Sequence, residues 1–149
     1  MPAPRHIAAL CLAVVAVSLL LVGLESGTIV RHVVQILPIP AAIAVALRRP
    51  AWGALVAIPI FLFWSLIVIL IWLFVLGISR AASGQYTAIE LALTVAIALS
   101  SVAGIAASGR LVAAPTWSHR VRVLCVFALA GGVQFAAMWT SFLPPFASR

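Results

Sequence analysis

From Ala51 to Ile78 the chain carries no charged side chain and consists mainly of isoleucine, leucine, phenylalanine, alanine and tryptophan. A helix of about 20 apolar residues crosses the hydrocarbon core of a bilayer, and this run is longer. Pro59 is expected to kink the helix because proline removes one backbone N–H. Soluble domains are about one quarter charged, whereas this chain of 149 residues is 66% hydrophobic and 7% charged. The sequence predicts an all-α integral membrane protein, with residues 1–149 forming a single transmembrane domain.

Four further apolar runs complete a predicted bundle of five transmembrane helices, at about 7–24, 28–47, 52–78, 88–107 and 120–143. The first run follows a basic residue but lacks a small-residue cleavage site, so we expect an uncleaved anchor. The run 28–47 is the least regular, because Arg31 and His32 occupy its first turn and Pro38 and Pro40 interrupt its middle. The alternative is four spans plus a re-entrant or interfacial segment at 28–47.

Arginines supply all of the basic side chains apart from histidine, and their distribution predicts the orientation. Cytoplasmic loops of membrane proteins carry an excess of Lys and Arg. One side of the five-span model has the larger set: Arg48, Arg49, Arg110, Arg120 and Arg122. We therefore expect a plasma-membrane protein with a cytoplasmic N-terminus and an external C-terminus. The formal net charge of +7 then serves contact with the lipid bilayer, and without a basic stripe or aromatic platform nucleic acid is excluded as a partner.

A cluster of polar side chains between the first two runs is the main candidate site. Thr28, Arg31, His32 and Gln35 are spaced to share one helix face, and Gly27 favours a turn before them. Glu25, across that turn, can fold back to pair with Arg31, and Thr28 can cap the new helix. Two interpretations remain: a polar pocket with an anion site or a proton step, or a charged hairpin that anchors the turn among lipid headgroups.

Glu90 is the only acid inside a predicted span, which makes it a second candidate. Thr87 and Glu90 also match a capping box, in which Glu90 would cap the first helical turn without any further function. Gln134, in the last span, is expected to form an interhelical hydrogen bond. Trp64 and Trp72 are interpreted as packing or lipid-contact residues.

Small residues at four-residue spacing mark two candidate packing faces, because they let helix backbones approach closely. The fourth span carries Ala92, Ala96, Ser100 and Gly104, and the fifth carries Ala128, Gly132 and Ala136. The second face is a candidate partner for the first.

No catalytic, cofactor or metal motif is present, and Cys11 and Cys125 lie singly inside apolar runs. We therefore expect no enzyme, with a motif-less intramembrane enzyme as the remaining exception. The first functional hypothesis is a non-enzymatic membrane component or accessory subunit, assembling with itself or a larger membrane protein through small-residue faces. The alternative is a small transporter or channel subunit with a polar path involving Arg31, His32 and Glu90.

Overall fold

The computed structural model describes residues 3–80, 84–112 and 117–147, and all regular structure in these ranges is helical. The helices are α1 (Pro4–Glu25), α2 (Ile29–Ile36), α3 (Pro38–Arg48), α4 (Pro50–Val75), α5 (Ala88–Gly109), α6 (Trp117–Ser141) and the short α7 (Pro144–Ala147). Within the described chain five helical segments are long and apolar enough to cross a membrane, with α2 and α3 together forming one of them.

The boundary between α2 and α3 falls at Leu37, directly before Pro38. Pro38 and Pro40 cannot donate backbone hydrogen bonds, and their rings crowd the carbonyls of the preceding turn. Leu37 keeps a helical conformation, with φ −49° and ψ −37°. The chain therefore continues as a helix through Ile29–Arg48 with a local interruption, as the two prolines predicted.

Two helices end in the same glycine motif. After α1, Gly27 has φ 67°, its N–H donates to the Leu24 carbonyl, and the next N–H donates to Gly23. After α4, Gly77 has φ 72° and makes the equivalent bonds. This arrangement satisfies helix-end carbonyls and relies on glycine, which adopts positive φ without a Cβ clash. The expected end of the third span at residue 78 was wrong, because Gly77 stops the helix although the apolar composition continues.

The core lies between α1, α4 and α5, with α3 closing a further side. Leu12, Val15 and Phe61 are fully buried there. The backbones of α3 and α4 approach closely, because a Cβ on Gly53 would clash with the backbone of Ala46. Small residues therefore decide where these helices touch.

The expected pairing of the two small-residue faces does not occur within the chain. α5 packs on α1 and α4, α6 packs mainly on α4 and α2, and the described parts of α5 and α6 make no contact with each other. Gly104 instead faces Phe61 of α4. The prediction was wrong because α4 lies between the two helices and supplies a large side chain that fits the gap.

The alternating direction of the five long helical segments gives the bundle two different ends. The cavity end comprises the end of α1, the start of α2, the end of α4, the start of α5 and the end of α6. The arginine end is the opposite one, and its described basic residues are Arg5, Arg48, Arg49, Arg110, Arg120 and Arg122.

Candidate functional site

A cavity of about 500 Å³ opens at the cavity end, and we call it the polar cavity. All five spans contribute to its wall. Of the six residues in the predicted polar site, five line it: Thr28, Arg31, His32, Gln35 and Glu90. Glu25 does not, and its side chain is exposed at the end of α1. The fold thus brings Glu90, from a distant part of the sequence, to the face formed by α2.

Arg31 packs against an aromatic ring instead of a carboxylate. Its Cζ lies 4.7 Å from the centroid of the Phe142 ring, a cation–π contact. Its Nε is buried and has no hydrogen-bond partner in the described part of the chain. The suggested ion pair with Glu25 is not formed, because α2 directs Arg31 towards α6 while Glu25 stays exposed at the end of α1.

His32 is fixed by the turn that precedes α2. Its Nδ1 lies 3.1 Å from the Thr28 carbonyl and 3.2 Å from the Thr28 hydroxyl. Because a carbonyl can only accept, Nδ1 carries the proton, and Nε2 of the neutral ring is an acceptor. The expected side-chain cap by Thr28 is absent, since the hydroxyl bonds His32 and, at 2.6 Å, Ser26. The His32 side chain also needs Gly23 opposite, where a Cβ would lie 2.9 Å from it.

Glu90 confirms the predicted capping box at the start of α5. Its Oε2 accepts from the Thr87 N–H at 2.8 Å, and its own N–H donates to the Thr87 hydroxyl at 3.2 Å. The residue is only 7% exposed, and its Oε1 forms no hydrogen bond with the described residues. In the segment before α5, burial raises the pKa of the Tyr86 phenol, and the negative charge of Glu90 raises this pKa further. The cap uses one carboxylate oxygen and leaves the other available at the polar cavity.

Gln35 belongs to a buried network that joins α2 to α6. Its Nε2 donates to the Ser141 hydroxyl at 3.0 Å, and Ser141 donates to the Met138 carbonyl. Gln134 Nε2 donates to the Gln35 carbonyl at 3.0 Å, which confirms the predicted interhelical bond. That carbonyl lies in the last turn of α2, where helix carbonyls lose their usual partners. Gln35 is therefore a structural part of the wall, with its amide N–H already engaged.

Trp64 lines the polar cavity in a way that the sequence did not indicate. It is 3% exposed, and its Nε1–H has no acceptor among the described residues. Trp72, from the same helix, instead donates to the Thr94 hydroxyl of α5 at 2.9 Å. Both were interpreted as packing residues, and an almost uniformly apolar helix offers no polar face that would have distinguished them.

The predicted packing residues lie in different environments. On α5, Ala92 is exposed, Ala96 and Ser100 are half-buried, and Gly104 is buried. On α6, the residues Ala128, Gly132 and Ala136 are all exposed, and we call them the α6 face. Of these seven residues, only Gly104 is thus buried inside the chain.

No protein-family model, curated protein or solved structure matches the chain. The chemistry of the site must therefore be derived from its own residues. In the described ranges no three potential metal ligands among His, Cys, Asp and Glu come together. The polar cavity instead combines a guanidinium, a carboxylate, an imidazole and an indole N–H inside apolar walls. Such a combination is suited to holding a small molecule through a few polar contacts.

Proposed function

We propose that the protein is a non-enzymatic, multi-pass component of the plasma membrane that binds a small ligand in the polar cavity, as a small transporter or its ligand-binding subunit does. One observation carries the proposal. Arg31 and His32 on α2 and Glu90 on α5 line the same cavity, although they are far apart in the sequence. A channel or transporter with a polar path requires this convergence.

The absence of an ion pair between Arg31 and Glu25 favours a binding site over a charged hairpin that anchors the turn among lipid headgroups. An anchor would neutralise itself through an exposed ion pair between Arg31 and Glu25, and that pair is absent. Ionisable groups within membrane segments are costly and are retained mainly where they face a polar or functional interior. Arg31 Nε has no hydrogen-bond acceptor, and an unpaired buried donor costs free energy of folding. The Arg31 guanidinium also has no carboxylate partner among the described residues, and an anionic group of a ligand in the polar cavity would pair its charge.

The depth of the polar cavity fits a binding site that reaches into the membrane. Its lining includes Trp64 and Ile97. Trp64 lies about 16 Å from the end of α4, at 1.5 Å per residue, so the cavity reaches close to the middle of that helix. Transporters of several folds place their substrate near the middle of the bilayer.

Native mass spectrometry of the protein purified from its membrane tests this proposal. Ile71 lines the polar cavity, whereas Ile69, two residues away on α4, is exposed on its outer surface. We expect a small molecule to remain bound to the wild type and to Ile69→Trp, and to be lost from Ile71→Trp because the indole fills the cavity. Equal bound mass on both variants, or no bound molecule on any of them, would contradict the proposal.

The same proposal includes an orientation with the cavity end outside the cell, which the arginine bias favours. Gln85 is exposed near the cavity end and Gly109 is exposed near the arginine end. In a Cys125→Ser background, a membrane-impermeant maleimide applied to intact cells should label Gln85→Cys and leave Gly109→Cys unlabelled. The reverse pattern would place the polar cavity on the cytoplasmic side.

A second candidate function is assembly through the α6 face. Its three residues are exposed, and a Cβ on Gly132 would meet nothing within 4 Å. Small residues at this spacing permit close helix contact in a bilayer, so a second copy of the chain or a larger membrane protein is the proposed occupant. The two candidate functions are compatible, because the α6 face and the polar cavity do not share residues.

Cysteine crosslinking in native membranes tests the assembly. Gly131 and Gly132 are neighbours, but a Cβ on Gly131 would face Pro59 of α4 at 3.6 Å. In the Cys125→Ser background, an oxidant should crosslink Gly132→Cys to a partner and leave Gly131→Cys monomeric. No crosslink at Gly132→Cys, together with a monomer in mild detergent, would rule the assembly out.

A further inference from the structure

The fixed charges of the polar cavity are one cation and one anion. Among the described residues that line it, Arg31 is the only arginine and Glu90 the only acid. They come from different helices, α2 and α5, and are not paired with each other. His32 lines the same cavity as both residues. With His32 neutral, the lining has no net charge but has a positive and a negative side.

The polar groups of the lining that lack hydrogen-bond partners also divide into donors and acceptors. Among the side chains that line the polar cavity, two buried donors have no acceptor in the described chain, Arg31 Nε and the indole N–H of Trp64. The Trp64 side chain is almost completely buried in the wall. In the same lining, the hydrogen bonds of His32 and Glu90 use only Nδ1 and Oε2, so that His32 Nε2 and Glu90 Oε1 accept none from the described residues. The two donors are buried, and a buried donor without a partner is uncommon in a folded protein and calls for an explanation. Here the donors call for an anionic group and the acceptors for a cationic or N–H-bearing one.

We propose that the ligand of the polar cavity is a zwitterion carrying an apolar group: an ammonium bound at Glu90 and His32, and a carboxylate or phosphate bound at Arg31. This rests on the binding function proposed above. A simple anion would meet the Glu90 carboxylate, and a simple cation would meet the Arg31 guanidinium. Each would therefore form one favourable and one repulsive charge contact, and both are strong in a medium of low dielectric constant. A zwitterion satisfies both sides at once.

The remaining wall requires an apolar part of the ligand. Ile67, Val68, Ile71 and Ile97 line the polar cavity below the charged residues. A volume of about 500 Å³ is within the usual range for small-molecule sites. The same chemistry has two sources: a free apolar amino acid, or an ethanolamine-type headgroup of a membrane lipid. Both combine an ammonium, an acidic group and hydrocarbon.

Matched probes separate the zwitterion from its halves. The full chain is placed in nanodiscs made with phosphatidylglycerol, a lipid whose headgroup contains no amine. Binding of norleucine, hexanoate or pentylamine is then measured by calorimetric titration. Hexanoate lacks only the ammonium of norleucine, and pentylamine lacks only its carboxylate. We expect norleucine to bind about tenfold more tightly than either, which corresponds to one lost charge contact. In the lipid arm, binding of dihexanoyl phosphatidylethanolamine is compared with binding of dihexanoyl phosphatidylglycerol. The zwitterion that binds more tightly, norleucine or the ethanolamine lipid, identifies the source of the ligand.

Charge-removing variants provide a result that misfolding cannot imitate. Glu90→Gln keeps the capping box, because glutamine also serves at that position, and it should shift the preference to hexanoate. Arg31→Gln should shift the preference to pentylamine. Glu25→Gln removes an acid at the same end but outside the polar cavity, and should leave the order of the three probes unchanged.

Two outcomes would overturn the proposal. The first is a wild-type protein that binds hexanoate or pentylamine as tightly as norleucine while the lipid arm shows no preference for the ethanolamine headgroup. The second is an unchanged preference in Glu90→Gln. If no zwitterion binds but Ile71→Trp still removes a co-purified molecule, the ligand class is wrong and the binding function stands. If Ile71→Trp removes nothing, the binding function itself fails.

Discussion

Helices α5 and α6 carry the same spacing of small residues and use it differently. On α5 the stripe reaches the core at Gly104, whereas all three residues of the α6 face are exposed. The buried share of the two helices differs accordingly. In the 18-residue stretch that qualifies each helix as long and apolar enough to cross a membrane, 28% is buried in α5 and 6% in α6. Equal spacing therefore does not imply equal packing, because each small residue needs a matching side chain or backbone on a neighbouring helix.

The two helices are held by different interactions. Phe61 of α4 occupies the space that a side chain at position 104 would fill. α6 presents its opposite side to the bundle, where Gln134 and Ser141 join it to Gln35 of α2. In the proposed membrane setting, lipid tails are as apolar as leucine, and close packing and hydrogen bonds then hold helices together in place of the hydrophobic effect. α5 combines close packing at Gly104 with one hydrogen bond from Trp72, whereas α6 forms two side-chain hydrogen bonds with α2.

The largest effect is expected from Gly104→Ala. The added Cβ would lie 2.2 Å from the Phe61 Cζ, so the ring or the helix must move. Overpacking of this kind costs about 1–3 kcal/mol in the free energy of unfolding. Unfolding in mixed micelles with increasing denaturing detergent, followed by helical circular dichroism, measures the loss.

A smaller ring at position 61 provides the control for this prediction. Phe61→Leu in the Gly104→Ala background should recover part of the loss, because the two side chains then share the space. If Gly104→Ala is as stable as the wild type, the close packing of α5 on α4 is wrong.

The next effect concerns the start of α5. Thr87→Ala removes the acceptor of the Glu90 N–H, and loss of such a cap costs about 1 kcal/mol. Thr87→Ser keeps the hydroxyl and should restore the stability. The same detergent titration compares the three proteins, and equal stability of the alanine and serine variants would show that the cap is not important for α5.

A smaller effect is expected at the polar contact of α6. Gln134→Leu removes the hydrogen bond to the Gln35 carbonyl, but it also removes the buried Gln134 Oε1, which has no partner in the described chain. Hydrogen bonds between membrane helices contribute about 0.6 kcal/mol on average. We therefore expect a loss of that order in the free energy of unfolding. Faster proteolysis between α5 and α6 provides an independent readout. A loss larger than that of Gly104→Ala would reverse the comparison between the helices.

The features that the sequence predicted are those that depend on neighbouring residues. The Gly27 turn, the Thr87–Glu90 capping box and the shared face of Thr28, Arg31, His32 and Gln35 each require only local geometry. The five long apolar helices follow from composition. These local features restrict the candidate site to a few residues.

Tertiary neighbours were not predictable in the same way. Arg31 lies against Phe142 because α6 ends beside α2, and no local pattern specifies that approach. Trp64 lies in an α4 sequence that is apolar on every side, so periodicity assigns it no face. The α5 stripe was assigned to α6 because both have the right spacing, but α4 supplies the side chain that fits. In a nearly uniform apolar sequence, shape decides the neighbours and hydropathy does not.

The smallest effect on stability is expected at Gly132, and this variant distinguishes the two uses of small residues most clearly. A Cβ at position 132 would meet nothing within 4 Å, so Gly132→Leu should leave the free energy of unfolding of the monomer close to that of the wild type. A bulky side chain there would nevertheless prevent close approach of another helix. If the α6 face binds a partner, Gly132→Leu should convert the assembled form to monomer in mild detergent, while Gly131→Ala leaves it intact. An assembled Gly132→Leu protein would show that the α6 face contacts only lipid, and that the small residues of α6 have no packing role comparable to that of Gly104.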